Sequence, residues 1–254
     1  MIVQKLVCIS PKCAEKYAAE VLKQYRHWCS HDTYFHTFGA TTYLEAFNQD
    51  GPLKPSELAG YHSHKQLMNP VLKKNFGALY EEVLSSLSVE IGPSKLIDEL
   101  GHPGFHIFGP TPQKGHIEQD FIDSFTGDSW GALHLDIQYL PHMPIFQKFD
   151  EVDIENPLSF TLALCLPKNG SGLRVWKNIE GRDEVERFNY LDIDERNALI
   201  KDPDLVKYEI GNITYFIGHT VHQVPKTDPL LTNDIRITLQ GHGILRDGYW
   251  RLYF

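Results

Sequence analysis

The hydrophobic period of this chain changes at Gly101, and that change narrows the folds open to it more than any other feature. Before it, apolar residues recur at three- and four-residue steps; after it, they alternate. Ser159 to Leu166 is the clearest case. Phe160, Leu162, Leu164 and Leu166 fall on one face, and Thr161, Ala163 and Cys165 on the other, which is the period of an extended strand. Gly104 to Phe108, His134 to Leu140, Leu173 to Trp176, Ile213 to Ile217, Ile235 to Leu239 and Tyr249 to Phe254 are further short strand candidates. Asn169-Gly170-Ser171-Gly172 reads as a turn between two of them. Many short strands with Gly and Pro punctuation predict a β-sandwich or barrel.

The first hundred residues read as mainly helical. From Pro11 to Trp28, Ala14, Tyr17, Ala18, Val21, Leu22, Tyr25 and Trp28 form one apolar face, and Pro11 suits a first helical turn. A second helix is predicted from Pro70 to about Leu87, with Leu72, Phe76, Leu79, Tyr80, Val83 and Leu87 as its buried stripe. A short third helix fits Ser94 to Leu100, stopped by Gly101 and Pro103. Tyr34 to Phe47 is ambiguous, and Gln49-Asp50-Gly51-Pro52 reads as a turn. No repeat or linker is visible, so one domain is expected over 1–254: a helical support region over 1–100 and a β-core over 101–254. A charged insert near 177–207, with Asp192 to Lys201 helical, is either a solvated excursion or a lid over a site.

At 254 residues the chain can bury a substantial core. Its formal net charge of −9 argues against nucleic-acid or anionic-membrane partners, which call for a basic surface. No stretch approaches the ~18 apolar residues of a membrane helix. The first residues lack a signal peptide's basic head and apolar run, so a cytoplasmic location is expected. Cys8, Cys13, Cys29 and Cys165 have no CxxC spacing and are expected to be reduced thiols.

The pattern that carries chemistry is His134-Leu135-Asp136, followed by His222 and then Arg236. Two imidazoles and one carboxylate can hold one face of an octahedral iron(II) and leave the other face open. Alone, His-x-Asp is a chance-level motif. In an extended strand, however, His134, Asp136 and Gln138 would share a face, and a polar face on a core strand is costly unless it lines a ligand cavity. In Gly211 to Pro225 an apolar strand ends at Gly218, a turn comes next, and extended chain resumes at His222. His222 is the preferred metal ligand there, and His219, in the bend, is the alternative. Arg236, Thr238, Gln240 and His242 would share one strand face. A buried arginine needs an anion. An external carboxylate, supported by the Thr238 hydroxyl, would serve; an Asp or Glu elsewhere in the fold is the other possibility.

This pattern resembles the iron(II)/2-oxoglutarate-dependent oxygenases, whose motif is His-x-Asp/Glu, then His, then Arg on a double-stranded β-helix. Arg236-x-Thr238 is similar to that superfamily's Arg-x-Ser/Thr anchor. The resemblance implies a mainly β fold with flanking α-helices and a cupin-like jelly-roll core. It implies Fe(II) on His134, Asp136 and His222, with 2-oxoglutarate and O2 as cosubstrates and Arg236 and Thr238 on the far carboxylate of 2-oxoglutarate. It further implies hydroxylation of an unactivated C–H bond in a small-molecule substrate, with succinate and CO2 as co-products.

Phe38-Gly39-Ala40-Thr41-Thr42-Tyr43-Leu44, Asn69-Pro70 and Pro103-Gly104-Phe105-His106-Ile107-Phe108 look like a branch containing free amino-acid halogenases and related hydroxylases. The halogenases there have Gly where this chain has Asp136, so the resemblance implies oxygen transfer over chlorination. His106, Trp130, Gln138, Trp176 and Trp250 are candidates for a substrate wall, although Trp176 and Trp250 suit a core as well. Glu118, Asp120 and Asp123 either meet a cationic substrate or form a solvated acidic loop. His62 and His64 lack a third ligand and read as surface histidines. Two other classes share part of the pattern: a cupin-type metal dioxygenase or isomerase with no need of Arg236, and a non-catalytic metal- or ligand-binding sensor.

Overall fold

The computed structural model describes residues 3–41, 47–48, 51–52, 58–125, 127, 129–131, 133–146, 152–181, 183, 187–188 and 191–254. Its larger sheet has nine strands. They run in the order β1 (Gln4–Val7), β11 (Asn212–Ile217), β8 (Val152–Cys165), β13 (Arg236–Arg246), β7 (Gly104–Phe108), β3 (Phe35–Phe38) and β2 (Cys29–Asp32). β14 (Tyr249–Tyr253) pairs with β13 and with β6 (Ser94–Leu96). The smaller sheet has the order β10 (Asp204–Lys207), β9 (Gly172–Glu180), β12 (Thr220–Gln223). Two isolated antiparallel bridges, Ser129 to Pro225 and His134 to His222, lay residues 129–131 and 133–134 along β12 and the chain just after it as a broken fourth strand. β4 (Phe47–Asn48) and β5 (Gly51–Pro52) form a separate small ribbon.

The expected jelly roll is therefore present. Its two halves are β7-β13-β8-β11 and the broken strand-β12-β9-β10, all antiparallel. Alternation explains why one face of the large sheet is dry and the other is not. Leu239, Leu162 and Ile213 stand side by side on three neighbouring strands and are fully buried. Full burial of each such side chain stabilises the fold by roughly 1.5–3 kcal/mol. One residue along, Gln240, Thr161 and Thr214 form the next row and line a cavity between the sheets. The period of two sends one row to the core and the next to the cavity.

Helix α1 (Pro11–Lys23) starts at Ser10, whose Oγ accepts from the Cys13 N–H at 3.3 Å, and it buries Ala14, Ala18 and Val21. Helix α2 (Leu58–Ile91) buries the expected stripe from Leu72 to Leu87. Both helices belong to one apolar cluster with Phe105, Leu162 and Leu239. Contrary to expectation, α2 starts at Leu58 and carries Pro70 in its interior. An interior proline costs about 3 kcal/mol. The first turns are held nonetheless, because Tyr61 and Met68 are buried and the Tyr61 hydroxyl accepts from the Gly101 N–H at 2.7 Å.

The helix expected over Ser94 to Leu100 is instead strand β6, paired in parallel with Trp250 to Leu252. The available sheet edge outweighs the weak helical propensity of so short a segment. The strand expected over His134 to Leu140 keeps only its bridge at His134, and residues 140–142 form a 3-10 turn that begins beside Pro141. The first hundred residues also contribute β1, β2, β3 and β6 to the large sheet, so they are not only helical support. Of the turn expected at 49–52, Gln49 and Asp50 lie outside the described residues. Among the described residues no helix is long and apolar enough to cross a membrane, and no disulfide joins the four cysteines.

Candidate metal centre

His134 and His222 form a directly opposed antiparallel pair. The His134 N–H donates to the His222 carbonyl at 3.1 Å, and the His222 N–H donates back at 3.0 Å. Side chains of such a pair lie on one side of the sheet, and the two imidazole centroids are 4.3 Å apart. β12 reaches this register through a bend at Gly218, whose φ of 102° suits glycine alone. Asp136 completes the group: its Oδ1 is 3.9 Å from His134 Nε2, and its Oδ2 is 3.5 Å from His222 Nε2. One ligand atom from each residue lies within 4.8 Å of the others, with His134 exposed and the other two buried.

The donor chemistry fits a divalent transition metal. His222 Nδ1 lies 3.1 Å from the Thr220 carbonyl, an oxygen that can only accept, so Nδ1 carries the proton and Nε2 offers its lone pair to the group. Burial pushes His222 down to about 4, against the opposing pull of Asp136, and keeps the ring neutral, as a ligand must be. Burial alone would push the Asp136 carboxyl up. The imidazoles of His222, His242 and His134, with a hydrogen bond from Ser159, outweigh burial and hold it well below the usual carboxylate range. Ligand atoms ~2.1 Å from an ion and at right angles to one another lie about 3 Å apart. With one ligand atom taken from each residue, the three atoms lie within 4.8 Å of one another, so the group contracts toward that spacing when it closes on an ion.

The three residues line a cavity of about 340 Å³ between the two sheets. Phe35, Phe108, Trp130, Phe160 and Phe216 give it an aromatic wall, and Thr161, Tyr208 and Gln240 add polar groups. Of the residues predicted from the sequence, His106, Trp130 and Gln138 lie on this lining beside the three ligand candidates. His106 is kept neutral: burial and then the Arg236 charge push it well below the ordinary histidine value. Gln138 turns its amide to Asp136, donating to Oδ1 at 3.0 Å.

Arg236 and Thr238 are fully buried behind the lining. The Arg236 guanidinium is flanked by the rings of Phe108 at 5.2 Å and Tyr208 at 5.3 Å, both of which line the cavity. Thr238 Oγ1 accepts from Gln240 Nε2 at 3.3 Å.

Other candidates sit elsewhere. His219 points away, with Nε2 3.1 Å from the Ile154 carbonyl and 3.4 Å from the Tyr139 hydroxyl. Trp250 is core: it packs in the main apolar cluster and donates from Nε1 to the Ile91 carbonyl at 3.1 Å. Trp176 packs in a separate cluster with Phe188 and Val221, against Leu133 and Leu135. That cluster includes Leu191, Leu199 and Ile200 of the charged insert, so the described part of the insert backs the His134 segment. Its helix α3 (Ile193–Leu199) starts at an Asp192 capping box. Glu118, Asp120 and Asp123 are exposed, and His62 and His64 are half-buried.

His242, Ser159 and Tyr208 were not singled out as site residues, yet all three line the cavity. For His242 the signal was present, since it shares the alternating face of Arg236 and Gln240. Tyr208 comes after β10 in irregular chain, where no periodicity points inward.

No family model matches the chain, and no curated protein matches it. Among solved structures, an N-substituted L-amino acid dioxygenase from Burkholderia ambifaria AMMD is similar with a TM-score of 0.48 and 17% identity, over 78% of this chain and 70% of that one. A structure of that enzyme in complex with alpha-KG gives a TM-score of 0.48 at 16% identity over the same shares. A Pseudomonas putida prolyl-4-hydroxylase gives 0.37 at 11% identity, over 97% and 93%.

Proposed function

We propose that this chain is an iron(II)- and 2-oxoglutarate-dependent oxygenase. It hydroxylates an unactivated C–H bond of a small molecule, such as a free amino acid or a derivative, and releases succinate and CO2. The observation that carries this is the opposed His134–His222 pair with Asp136 beside it, on the wall of an aromatic cavity between the sheets. His134, Asp136 and His222 would hold the metal, which together with 2-oxoglutarate and O2 supplies the oxidising power that no side chain has.

The remaining work belongs to the chain. Arg236 places a permanent positive charge against two lining rings, where the far carboxylate of 2-oxoglutarate would meet it. Thr238 supports that end. The aromatic wall excludes water from the reacting carbon, and His106 and Trp130 would contact the substrate. Asp136 supplies a carboxylate at the position that the halogenases leave open, which favours oxygen transfer.

The test is iron binding and succinate release. Purified protein given Fe(II), 2-oxoglutarate and O2 should release succinate slowly alone and faster with a panel of amino acids and their derivatives, and His222→Ala should abolish both. Absence of metal binding together with absence of 2-oxoglutarate consumption would refute the proposal.

A further inference from the structure

We propose that Ser159, His242 and Gln138 are positioning residues for the metal centre, holding the Asp136 carboxylate in the orientation that meets His134 and His222. This rests on the proposed metal-binding role of those three ligands. Asp136 needs such a hold because of where it sits. His134 and His222 stand on a bridged pair of residues, so the main chain itself aims their rings. Residues 135–137 belong to no strand, which leaves the two torsions of the carboxylate to be set by its neighbours.

Those neighbours converge from separate parts of the chain. Gln138 donates from Nε2 to Asp136 Oδ1 at 3.0 Å. Ser159 on β8 lowers the proton affinity of the same carboxylate. His242 stands directly opposite Ser159 on the paired strand β13. Its Nδ1 is 3.4 Å from Ser159 Oγ and 3.9 Å from Asp136 Oδ2. A serine has one proton to give. When Ser159 donates it to the carboxylate, its oxygen accepts from the Nδ1–H of His242, which makes a directed relay from His242 through Ser159 to Asp136.

All three side chains are buried on the cavity wall, at 4%, 5% and 7% exposure for Gln138, Ser159 and His242. They are also donors without a fixed charge. A lysine or arginine here would hold the carboxylate equally well but would repel the cation it serves. Outer groups of this kind typically set metal affinity by about 10–100-fold without touching the metal.

Cobalt(II) is the probe, titrated into the full-length protein without 2-oxoglutarate. Affinity is read by chelator competition, coordination by the visible absorption of the bound ion, and folding by the melt of the metal-free protein. Ser159→Ala, Gln138→Met and His242→Leu each remove one member, and His242→Gln keeps a donor at that position. The expected result is Co(II) binding about 10–100-fold weaker in the three deletions, with a shifted absorption band. His242→Gln should stay within a few-fold of wild type, and the metal-free melts of Ser159→Ala and Gln138→Met should be unchanged. Wild-type affinity and spectrum in Ser159→Ala and Gln138→Met would overturn the assignment. So would His242→Gln binding as weakly as His242→Leu. Should His242→Leu lose its fold, Ser159→Ala interrupts the same relay by removing a single oxygen. Wild-type protein that binds no Co(II) at all would overturn the metal centre itself, an outcome distinct from a failure of the relay.

Discussion

Arg236→Met separates the stability role of Arg236 from its function. The side chain has no exposed surface, and its guanidinium lies 5.2 Å from the Phe108 ring and 5.3 Å from the Tyr208 ring. Two desolvated cation–π contacts are worth about 1–4 kcal/mol together. Keeping a guanidinium out of water costs several kcal/mol in return, so replacing it with an apolar chain of similar length is expected to change stability by no more than about 2 kcal/mol. For a chain of this size that limit corresponds to a melting shift within about 8 °C.

Binding should respond very differently. Losing one partner of a buried charged pair costs about 2–5 kcal/mol, which is about 30-fold to several thousandfold in the Kd of 2-oxoglutarate. The assay is calorimetric titration of 2-oxoglutarate into Co(II)-loaded wild type and variant, beside thermal melts of both. An unchanged Kd would refute Arg236 as the anchor. A melting temperature lowered by much more than about 8 °C would refute the energetic reasoning, because it would mean the charge holds the fold together.

The other predictions are simpler. Co(II) at about 100 times its Kd should stabilise the fold by about 2.7 kcal/mol, a gain that EDTA removes; His222→Ala should abolish the gain and His219→Asn should keep it, as read by melting with and without metal. Gly104→Ala should destabilise by about 1–3 kcal/mol in a denaturant titration, because the new methyl group would overlap the Phe254 ring and crowd the Phe38 carbonyl. Burial, with a smaller contribution from His62, pushes His142 down to about 3. Below about pH 6.5 the unfolded chain therefore takes up a proton that the fold refuses, and stability present above that pH is lost as pH falls toward about 3. His142→Phe should flatten this acid limb in melts collected between about pH 7 and 4, and an unchanged limb would count against the assignment.

Local sequence determined the two periods of this chain and the elements built on them. The stripe from Leu72 to Leu87, the alternation of Phe160, Leu162 and Leu164, and the strand that carries Arg236, Thr238, Gln240 and His242 each depend on side chains a few residues apart. A helix or strand imposes its period directly on those side chains, so such patterns can be read without knowing the partner. The order His134, Asp136, His222, Arg236 rests instead on a motif resemblance, because no local period links residues so far apart in sequence.

Contacts between distant segments decided the rest. Ser94 to Leu96 became a strand because β14 offered an edge, and Pro70 was carried inside α2 because Tyr61 is anchored to Gly101. Trp250 went to the core and His219 to the Ile154 carbonyl, although neither residue type disfavours a site. The candidate centre itself does not depend on the regular strand that sequence periodicity suggested for His134 to Leu140. It depends on one bridge, between residues 88 positions apart, that sets His134 opposite His222, and on Ser159 and His242 meeting Asp136 from two other strands. Pairing of that range is set by sheet register, which a local pattern does not encode.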